Sequence, residues 1–501
     1  MVDELAAVNE VVMSAQVAPA PFHRETERCR IAQLDWASRS LSDRLICIRG
    51  ALSALATHRQ AMADAVEKDL GRLPVETLPG EIFGLAEACV YLLRRAANIL
   101  RTRKAPRADR PIWLFRQTDY VVRRPRGVIG IIGTWNFPLF LNGVQIVQAL
   151  AAGNGVIWKP SEVAPKSAEA LAAWLRAARF PDDLFIQLPS DREVGRLLSD
   201  ADVDHVVFTG HVSTGRLLAA HLGRRLISST LELSGCDAQF VLDDADVEMA
   251  AKAAWFGCTV NSGQTCIAVR RAFVPRSRYD EFLSYLTPLA KAAQPQHLMT
   301  RGQIQTAEEL VGEAVASGAR LLARRPLSEN TDLFTPAIIA DVEPEMAICQ
   351  RDSFAPILAV LPYDDLKEAL ETSRRCEYEL GVSVFTRRPR RAVALAERLG
   401  AGMCTVNDVI VPTAHPATPF GGRGASGWGS TQGAEGLLEM TVPQVISIRG
   451  GSFRPHYEPA GSTKTSSLPF FEAMYQWQYA PNFGQRLKGL LKLIGVLLRK
   501  T

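Results

Sequence analysis

The residues best suited to chemistry lie between Glu232 and Cys266. Cys266 ends a segment of small residues, 261–266, which follows a helix-like run over residues 247–255. A thiol on such a loop is open to a substrate, and a loop without bulky side chains lets backbone N–H groups point at the atom under attack. Glu232 is too distant in sequence for local pairing, so only a fold can bring the two together. A thiol that forms a covalent adduct and a carboxylate that activates water to release it make a coherent pair.

The cysteine also has a plainer interpretation. The chain contains nine cysteines, and a free cysteine is usually a small buried apolar residue. The rest of the sequence therefore has to decide whether Cys266 is a nucleophile.

The composition excludes several classes of protein. The 501 residues are 47% hydrophobic and 22% charged, as in ordinary globular proteins, and the length allows about three domains. A net charge of +4, without a basic stripe, argues against nucleic-acid binding. The cysteines are odd in number and scattered, and the eight histidines are isolated, so neither a disulfide framework nor a metal site is indicated. The first 21 residues carry no secretory signal pattern. We therefore expect a reducing, cytoplasmic location.

The elements that must position these groups follow two patterns. Residues 25–100 are helical in period, with one run opening at residues 41–45, a second over 61–70 that ends at Gly71, and a third over 81–100. Residues 119–124 alternate like an exposed strand, which suits either a subunit-contact arm or a plain edge strand. Beyond them, short apolar strands alternate with helices. The predicted strands are 127–133, 155–158, 184–188, 203–208, 240–242, 269–274, 357–361 and 383–385, and the predicted helices are 144–152, 167–179, 279–293, 364–373 and 390–399.

This alternation predicts parallel α/β sheets. Ligands bind such sheets beyond the carboxyl ends of the strands, where Asn136, Lys159, Glu162 and Gly210 fall. Lys159 and Glu162 could hydrogen-bond ribose hydroxyls, and a carboxylate there would repel a 2′-phosphate, favouring NAD over NADP. The alternative is that Glu162 simply begins a helix after Pro160.

Residues 210–217 lie between a strand and a helix and superficially resemble a Walker phosphate loop. Arg216 and Leu217 replace the Lys and Ser/Thr that would hold phosphate and Mg²⁺, so an NTPase is not indicated. A dinucleotide pyrophosphate at the start of that helix is physically reasonable. The G-x-G-x-x-G fingerprint is absent, however, so this loop alone does not establish a nicotinamide cofactor.

Taken together, residues 33–449 resemble the aldehyde dehydrogenase superfamily, nearest its class 3 branch of fatty and aromatic aldehyde enzymes. The resemblance rests on the order and spacing of short motifs: Thr134-Trp135-Asn136-Phe137-Pro138, Lys159-Pro160-Ser161-Glu162, Phe208-Thr209-Gly210, Leu231-Glu232-Leu233-Ser234-Gly235, Gly263-Gln264-Thr265-Cys266, Asn407-Asp408-Val409 and Pro419-Phe420-Gly421-Gly422.

The resemblance implies oxidation of an aldehyde to a carboxylate, with NAD as cofactor and NADP as the alternative. Cys266 would be the nucleophile and Glu232 the general base, while Asn136 would donate to the oxyanion beside the backbone N–H of Cys266. Lys159 and Glu162 would meet the adenosine ribose, and Gly210 and Gly215 the pyrophosphate. The remaining cofactor contacts would come from Thr134, Trp135, Leu233, Asp352 and Phe354. Local activation of the thiol is expected, since a neutral thiol reacts slowly at pH 7.

The same resemblance implies a division into domains. The expected parts are a flexible tail (1–24), a Rossmann-like NAD(P)-binding domain (25–106 and 126–234), a β oligomerisation arm (107–125 and 440–450), a catalytic domain (235–425) and a C-terminal extension (451–501). The arm leads us to expect a homodimer.

Five departures from the family pattern bear on cofactor affinity. Asp352 stands where the family has a Glu near the nicotinamide ribose, and Ala355 replaces a Gly. His211 replaces a small polar residue, Ser234 a Gly, and Arg423 a Val or Lys. None of them removes a catalytic group.

The C-terminal extension ends in a basic amphipathic pattern over residues 485–501. Such a helix can lie on an anionic membrane surface, or it can pack across the protein's own subunits. It is too short and too charged to span a bilayer. Membrane contact would suit a long-chain or otherwise lipophilic aldehyde.

Two further functions compete with aldehyde oxidation. One is an acyl-CoA-forming or acyl-reducing relative, against which the water-activating Glu232 argues. The other is a binding protein that kept the fold and lost turnover. Intact Cys266, Glu232 and Asn136 argue against it, whereas Asp352 and His211 leave it open.

Overall fold

A computed structural model of the chain describes residues 20–114, 116–324, 333–451, 454, 457 and 468–498. Two compact units are distinguished within them. One takes the described residues of Met1–Leu100 and Arg124–Val442, and the other those of Arg101–Arg123 and Pro443–Thr501.

The α-helices of the described residues are, in chain order, α1 (His23–Ser38), α2 (Leu41–Leu70), α3 (Pro74–Thr77), α4 (Phe83–Ile99), α5 (Phe140–Ala152), α6 (Pro165–Ala177), α7 (Arg192–Asp200), α8 (Val212–Arg224), α9 (Val247–Thr259), α10 (Arg276–Ala292), α11 (Arg301–Ala316), α12 (Leu366–Ser373), α13 (Pro389–Ala396), α14 (Gly433–Glu439), α15 (Leu468–Tyr479) and α16 (Phe483–Leu498).

The strands of the same residues are β1 (Arg103–Lys104), β2 (Gln117–Pro125), β3 (Val128–Ile132), β4 (Gly155–Lys159), β5 (Phe185–Gln187), β6 (His205–Gly210), β7 (Ser228–Leu233), β8 (Asp237–Val241), β9 (Val269–Pro275), β10 (Gln296–His297), β11 (Arg320–Ala323), β12 (Leu333–Phe334), β13 (Ala337–Ala340), β14 (Ile357–Tyr363), β15 (Tyr378–Glu379), β16 (Gly381–Phe385), β17 (Met403–Val406), β18 (Arg423–Gly424), β19 (Gly427–Trp428) and β20 (Thr441–Arg449).

The first large sheet has the order β19-β7-β6-β3-β4-β5. Every residue of β3 and β4 is buried, as expected for parallel strands covered by helices on both faces. Neighbours from β7 to β5 are parallel, whereas β19 runs antiparallel at the edge. The carboxyl end of β3 leads directly into residues 133–136. Strands β4 and β6 end at Lys159 and Gly210.

The second large sheet has the order β11-β13-β14-β9-β8-β16-β17. It is parallel except for β11, which runs antiparallel to β13. Its core includes the stacked rings of Phe240 and Phe273, whose centroids lie 4.9 Å apart. The predicted α/β class is confirmed by parallel sheets that match solved structures of one fold.

The N-terminal helices differ from the prediction in one respect. The runs at 41–45 and 61–70 are parts of a single helix, α2, which is capped by Ser40 and ended by the left-handed Gly71. Gly50 does not break it. A Cβ at Gly50 would lie 2.9 Å from the carbonyl oxygen of Ala178, so this glycine permits a close approach.

The second unit contains a sheet of order β1-β2-β20 and the helical pair α15 and α16. The strand predicted at 119–124 is confirmed within β2. The amphipathic helix predicted at 485–501 is found as α16, whereas Arg499, Lys500 and Thr501 lie outside the described residues. Among the residues that are described, no helix is long and apolar enough to cross a membrane.

Several elements were missed or displaced. The sequence patterns gave no prediction for α11, β11, β13 or α15. The strand predicted at 240–242 is found as β8, and the strand predicted at 203–208 as β6. Most of the predicted tail, residues 1–24, lies outside the described residues, and α1 begins at His23, inside its predicted end. The other domain boundaries stay a prediction.

Candidate active site

The loop that carries Cys266 has an unusual backbone. Asn261, Ser262 and Gly263 are all left-handed, with φ of 53°, 57° and 70°. Such conformations cost about 1–3 kcal/mol each for residues other than glycine, so the surrounding structure must enforce them. At Gly263 no side chain fits, because a Cβ would lie 2.4 Å from the backbone nitrogen of Pro356. The turn leaves Cys266 half-buried on the wall of a cavity.

Asn136 is held against this loop. Its Nδ2 donates to the carbonyl oxygen of Gln264 at 3.2 Å, and its Oδ1 accepts from the Thr134 hydroxyl at 2.9 Å. These two bonds fix the amide orientation and use one of its two N–H groups. The second N–H remains for a ligand oxygen, as an oxyanion donor requires.

Arg72 forms hydrogen bonds both to Asn136 and to the loop that carries Cys266. Its Nη1 donates to the carbonyl oxygen of Asn136 at 2.9 Å and to Oδ1 of Asn261 at 3.1 Å. The guanidinium is buried, and its charge is balanced by Glu81, with which it forms an ion pair. Glu81 in turn accepts from the backbone N–H groups of Leu139 and Phe140 at the start of α5.

Glu232 lies in β7, beside Thr209 of β6 and Gly427 of β19. The side chain is buried and accepts hydrogen bonds from the hydroxyls of Thr431 and Thr209 and from the Gln145 amide. Burial raises the pKa of Glu232 to about 7, although these three bonds act to lower it. A carboxyl group with that pKa can exchange a proton near neutral pH, as a general base must.

The local activation expected of the thiol stays a prediction, because the protein groups around Cys266 disfavour its ionised form. Burial raises the pKa of the Cys266 thiol, and the negative charges of Glu232, Asp237 and Asp352 raise it further. A thiol whose pKa is raised in this way is protonated near neutral pH.

The three groups meet in one cavity. Cys266, Glu232 and Asn136 all line a pocket of about 570 Å³. Six of the predicted cofactor residues share its wall: Thr134, Trp135, Gly210, Leu233, Asp352 and Phe354. The rings of Trp135 and Phe354 meet edge to face there, with centroids 5.7 Å apart. The structure thus brings nine of the predicted residues to one cavity, whereas Lys159, Glu162 and Gly215 do not line it. The roles of all twelve stay predictions.

Lys159 and Glu162 pair with each other at the end of β4. Lys159 Nζ donates to Glu162 Oε2 at 2.9 Å; the lysine side chain is buried and the glutamate half-exposed. Burial works to raise the pKa of Glu162, but the bond from Lys159 and the charges of Lys159 and Arg192 leave it below its ordinary value. The carboxylate is therefore ionised at neutral pH. Arg192 also lines the cavity and was not predicted.

One backbone N–H in the first turn of α8 is already hydrogen-bonded within the protein. His211 caps the helix, since its Nδ1 accepts from the backbone N–H of Ser213 at 3.2 Å. Gly215 lies in the first turn, where a Cβ would come within 2.6 Å of the Leu233 side chain. This glycine lets the helix pack closely on the strand that carries Glu232.

Asp352 lines the cavity and also contacts other parts of the chain. Its carboxylate lies 3.4 Å from the guanidinium of Arg270 and accepts from the N–H of Phe354 at 2.9 Å. Arg270 also donates to the carbonyl oxygens of Gly263 and Ala355. Asp352 thus supports the nucleophile loop through Arg270, and its contact with a ribose stays a prediction.

Four residues that contact or surround the candidate site were not predicted from the sequence: Arg72, Arg192, Asp237 and Thr431. Asp237 is buried at the start of β8, accepts from Gly381 N–H at 3.0 Å, and has its pKa raised by burial to about 7. Of the four, only Asp237 lies close to a motif, three residues after Ser234. An acidic residue beside a motif is a weak indication that it belongs to the site.

The described residues include no group of three or more His, Cys, Asp and Glu side chains that could hold a metal ion.

Comparisons with known proteins show what the whole chain is similar to. The sequence matches the model described as the aldehyde dehydrogenase family over residues 7–446. A relative from Methylomonas sp, named 4,4'-diapolycopene aldehyde oxidase, is 32% identical over 433 residues, covering 85% of this chain and 81% of its own. A putative succinate-semialdehyde dehydrogenase (NADP(+)) from Mycolicibacterium smegmatis is 30% identical, covering 84% and 83%.

Solved structures give the same likeness. An NAD-dependent aldehyde dehydrogenase from Sinorhizobium meliloti superposes with a TM-score of 0.81 at 26% identity, covering 88% of this chain and 90% of its own. An aldehyde dehydrogenase of Mycobacterium tuberculosis, solved with NAD+, superposes with a TM-score of 0.79 at 28% identity, covering 85% and 89%.

Proposed function

The chain belongs to the aldehyde dehydrogenase family, and we propose that it oxidises an aldehyde to a carboxylate through a thioester on Cys266, with NAD or NADP as hydride acceptor. The observation that carries the proposal is the convergence of Cys266, Glu232 and Asn136 on one cavity.

In the first half-reaction the Cys266 thiol loses its proton to water, and the thiolate sulfur bonds to the aldehyde carbon as the C=O π bond breaks. The carbonyl oxygen becomes an anion, which the free N–H of Asn136 and the backbone N–H of Cys266 stabilise. Loss of one such donor typically costs about 10²–10³ in rate. NAD or NADP, when bound, supplies the acceptor for the hydride that leaves the adduct carbon, and a thioester remains on Cys266.

In the second half-reaction a water molecule attacks the thioester carbon. Glu232 takes the proton of that water, the C–S bond breaks, and the carboxylate product leaves Cys266 free. The pKa of about 7 supports this role, because a carboxylate of ordinary pKa would be a weaker base.

The residues present fit a dinucleotide. Six of the residues expected to contact it line the cavity, and the buried Lys159 ammonium lies at the end of β4. Lys159 and Glu162 would meet the adenosine ribose. The ionised Glu162 would repel a 2′-phosphate and favour NAD, whereas the nearby Arg192 would attract one, so NADP stays the alternative.

The two competing functions predict different behaviour. An acylating enzyme, which passes its thioester to a thiol, has no need of the buried base Glu232. A binding protein without turnover has no need of a thiol at a cavity wall. His211 and Asp352, both engaged by the protein itself, are the features that favour weaker cofactor binding.

The test uses purified protein, NAD or NADP, and aldehydes of increasing chain length, with NADH absorbance as the readout. Cys266→Ala should abolish the signal, while Glu232→Gln should give one turnover and then stop. Full activity in Cys266→Ala would refute the mechanism. Release of product only when coenzyme A is added would favour the acylating alternative.

We also propose a homodimer formed through β20. This strand is at the edge of its sheet, and Val445, Ile446 and Ile448 are exposed on it by 64%, 39% and 57%. An exposed apolar edge strand is a template for pairing with another chain. Light scattering of wild type and of Val445→Pro tests the proposal, since proline cannot donate to a new ladder. An unchanged mass would refute it.

We propose a reducing, cytoplasmic location with peripheral membrane contact through the C-terminal helix, and a lipophilic aldehyde as substrate. The nine cysteines are all free, which supports the first part. One relative is named for 4,4'-diapolycopene aldehyde and others for succinate semialdehyde, so the chain-length panel has to decide the substrate.

A further inference from the structure

The C-terminal hairpin, formed by α15 and α16, buries one of its faces in an apolar core within its own unit. Phe470, Ala473, Met474 and Leu493 form its small core, against which Trp113 packs. Gly489 lets the two helices approach closely, since a Cβ there would lie 2.3 Å from the backbone nitrogen of Trp477. The hairpin is therefore a packed element with a defined inner side.

The outer side of α16 carries an apolar stripe. Phe483, Leu487, Leu491 and Ile494 are exposed by 80%, 45%, 61% and 45%. Each residue of an α-helix advances about 100° around the axis, so these four side chains fall within about 80° of one another. A continuous apolar face of this kind usually marks a binding surface.

The stripe has a cationic border. Arg486 lies about 60° beyond it on one flank and Lys488 about 60° beyond it on the other, with Lys492 next to Lys488. All three are exposed, and the described span of α16 contains no Asp or Glu. The face is thus apolar at its centre and purely basic at its edges.

We propose that this face of α16 lies in the surface of an anionic lipid bilayer. Phe483, Leu487, Leu491 and Ile494 enter the acyl boundary, and the basic border contacts phosphate groups. The inference rests on the peripheral contact proposed above and assigns to it a face and a lipid charge. With no helix of the described residues able to span a membrane, the contact is in the plane of the interface.

Charge decides between a bilayer and a second copy of the chain. A two-fold contact through α16 would bring each basic border against its own symmetry mate, because such interfaces join identical patches. Anionic headgroups complement the same border and contribute about fivefold in affinity per lysine near the surface. The hairpin also exposes Tyr475 and Tyr479, with ring centroids 5.3 Å apart, and tyrosine is enriched at membrane interfaces.

The experiment is flotation of the full-length protein with vesicles of phosphatidylcholine alone or mixed equally with phosphatidylglycerol. Wild type should float with the mixed vesicles and release in high salt. Leu487→Ser/Leu491→Ser should lose at least tenfold in partitioning, roughly the effect of leaving even one such side chain in water. Lys488→Gln/Lys492→Gln should lose roughly 30-fold, and only with the anionic vesicles.

Two matched variants serve as controls. Ile31→Ser/Leu34→Ser removes two helix residues of 65% exposure in the other unit, and Lys252→Gln/Lys367→Gln removes two exposed lysines there. Both should float like wild type. Equal flotation of wild type and the stripe variant would overturn the inference, as would equal binding to neutral and anionic vesicles. A stripe variant that changes the mass in solution would assign the face to a protein contact instead.

Oxidation of a short, water-soluble aldehyde separates this inference from the proposed activity. Every variant should oxidise it at the wild-type rate, because the changes lie outside the cavity. Flotation without any aldehyde oxidation by wild type would refute the proposed function and leave the membrane face standing.

Discussion

The hydrogen bond from Thr431 to Glu232 offers a direct test of the second half-reaction. The Thr431 hydroxyl donates to Oε1, while Thr209 and Gln145 donate to Oε2 at 3.1 and 3.3 Å. Thr431 acts to lower the pKa of Glu232, which burial has raised to about 7. Thr431→Val removes the donor and keeps the shape of the side chain.

The magnitude follows from the charge of the acceptor. A hydrogen bond to a charged group contributes about 1.5–3 kcal/mol, and one pKa unit corresponds to about 1.4 kcal/mol. The pKa of Glu232 should therefore rise by about one to two units in Thr431→Val. At pH 7 the ionised fraction would fall from about half to about a tenth or less, and the rate of deacylation with it.

The assay is stopped-flow absorbance of NADH at pH values from 6 to 9. The burst reports hydride transfer, and the later linear phase reports deacylation where that step limits turnover. In Thr431→Val the linear phase should slow at pH 7 and recover at high pH, since the base is then ionised. The burst should not slow, because protonation of Glu232 removes a negative charge that opposes the thiolate at Cys266.

Thr57→Val is the matched control, because Thr57 lies on the exposed side of α2 and donates only within its own helix. The reasoning is wrong if the pH midpoint of the linear phase does not move in Thr431→Val. It is equally wrong if burst and linear phase fall together, since that would place Thr431 in the first half-reaction.

Three further predictions concern the loop and the cofactor. Arg72→Lys should keep the fold but slow the burst by about tenfold or more, because Asn136 and Asn261 would lose the guanidinium that binds both of them. Arg72→Met should also lower the free energy of unfolding by about 3–5 kcal/mol in a denaturant titration, since Glu81 would be left buried without its ion-pair partner. Gly263→Ala should lose the burst and lower the melting temperature, whereas Gly312→Ala, where a Cβ meets nothing within 4 Å, should not. Glu162→Gln should raise the ratio of kcat/KM for NADP over NAD at least about tenfold if the carboxylate repels the 2′-phosphate; an unchanged ratio would assign that choice to other residues.

The parallel sheets could be predicted because their strands are short, apolar and regularly alternated with helices. Helix α11 should have been predicted as well. Thr300 and Gln303 form a capping box, and buried residues recur at Ala307, Leu310 and Ala314. Both features are local in the sequence and are sufficient to predict a helix. The merging of two predicted runs into α2 has a different cause, because the close packing that makes Gly50 acceptable is a tertiary contact.

The residues that hold Asn136, Asn261 and Glu232 in place could not be predicted from the sequence. Arg72 is separated from Asn136 by 64 residues and from Asn261 by 189, and Thr431 is 199 residues from Glu232. Motifs identify the groups that react, since their types and neighbours are restricted. The residues that hold them act through distant backbone carbonyls and single hydroxyls, which many residue types and positions can supply.

The pKa directions of Cys266 and Glu232 fit a reaction in which the two charges alternate. Burial raises both pKa values, and the charge of Glu232 raises that of Cys266 further. Because this repulsion is mutual, a thiolate at Cys266 forms most readily while Glu232 is protonated. Once Cys266 is acylated it carries no charge, so Glu232 ionises more easily at the moment when a base is required. The shared low-dielectric cavity thus links the order of the two half-reactions to the protonation of one carboxyl group.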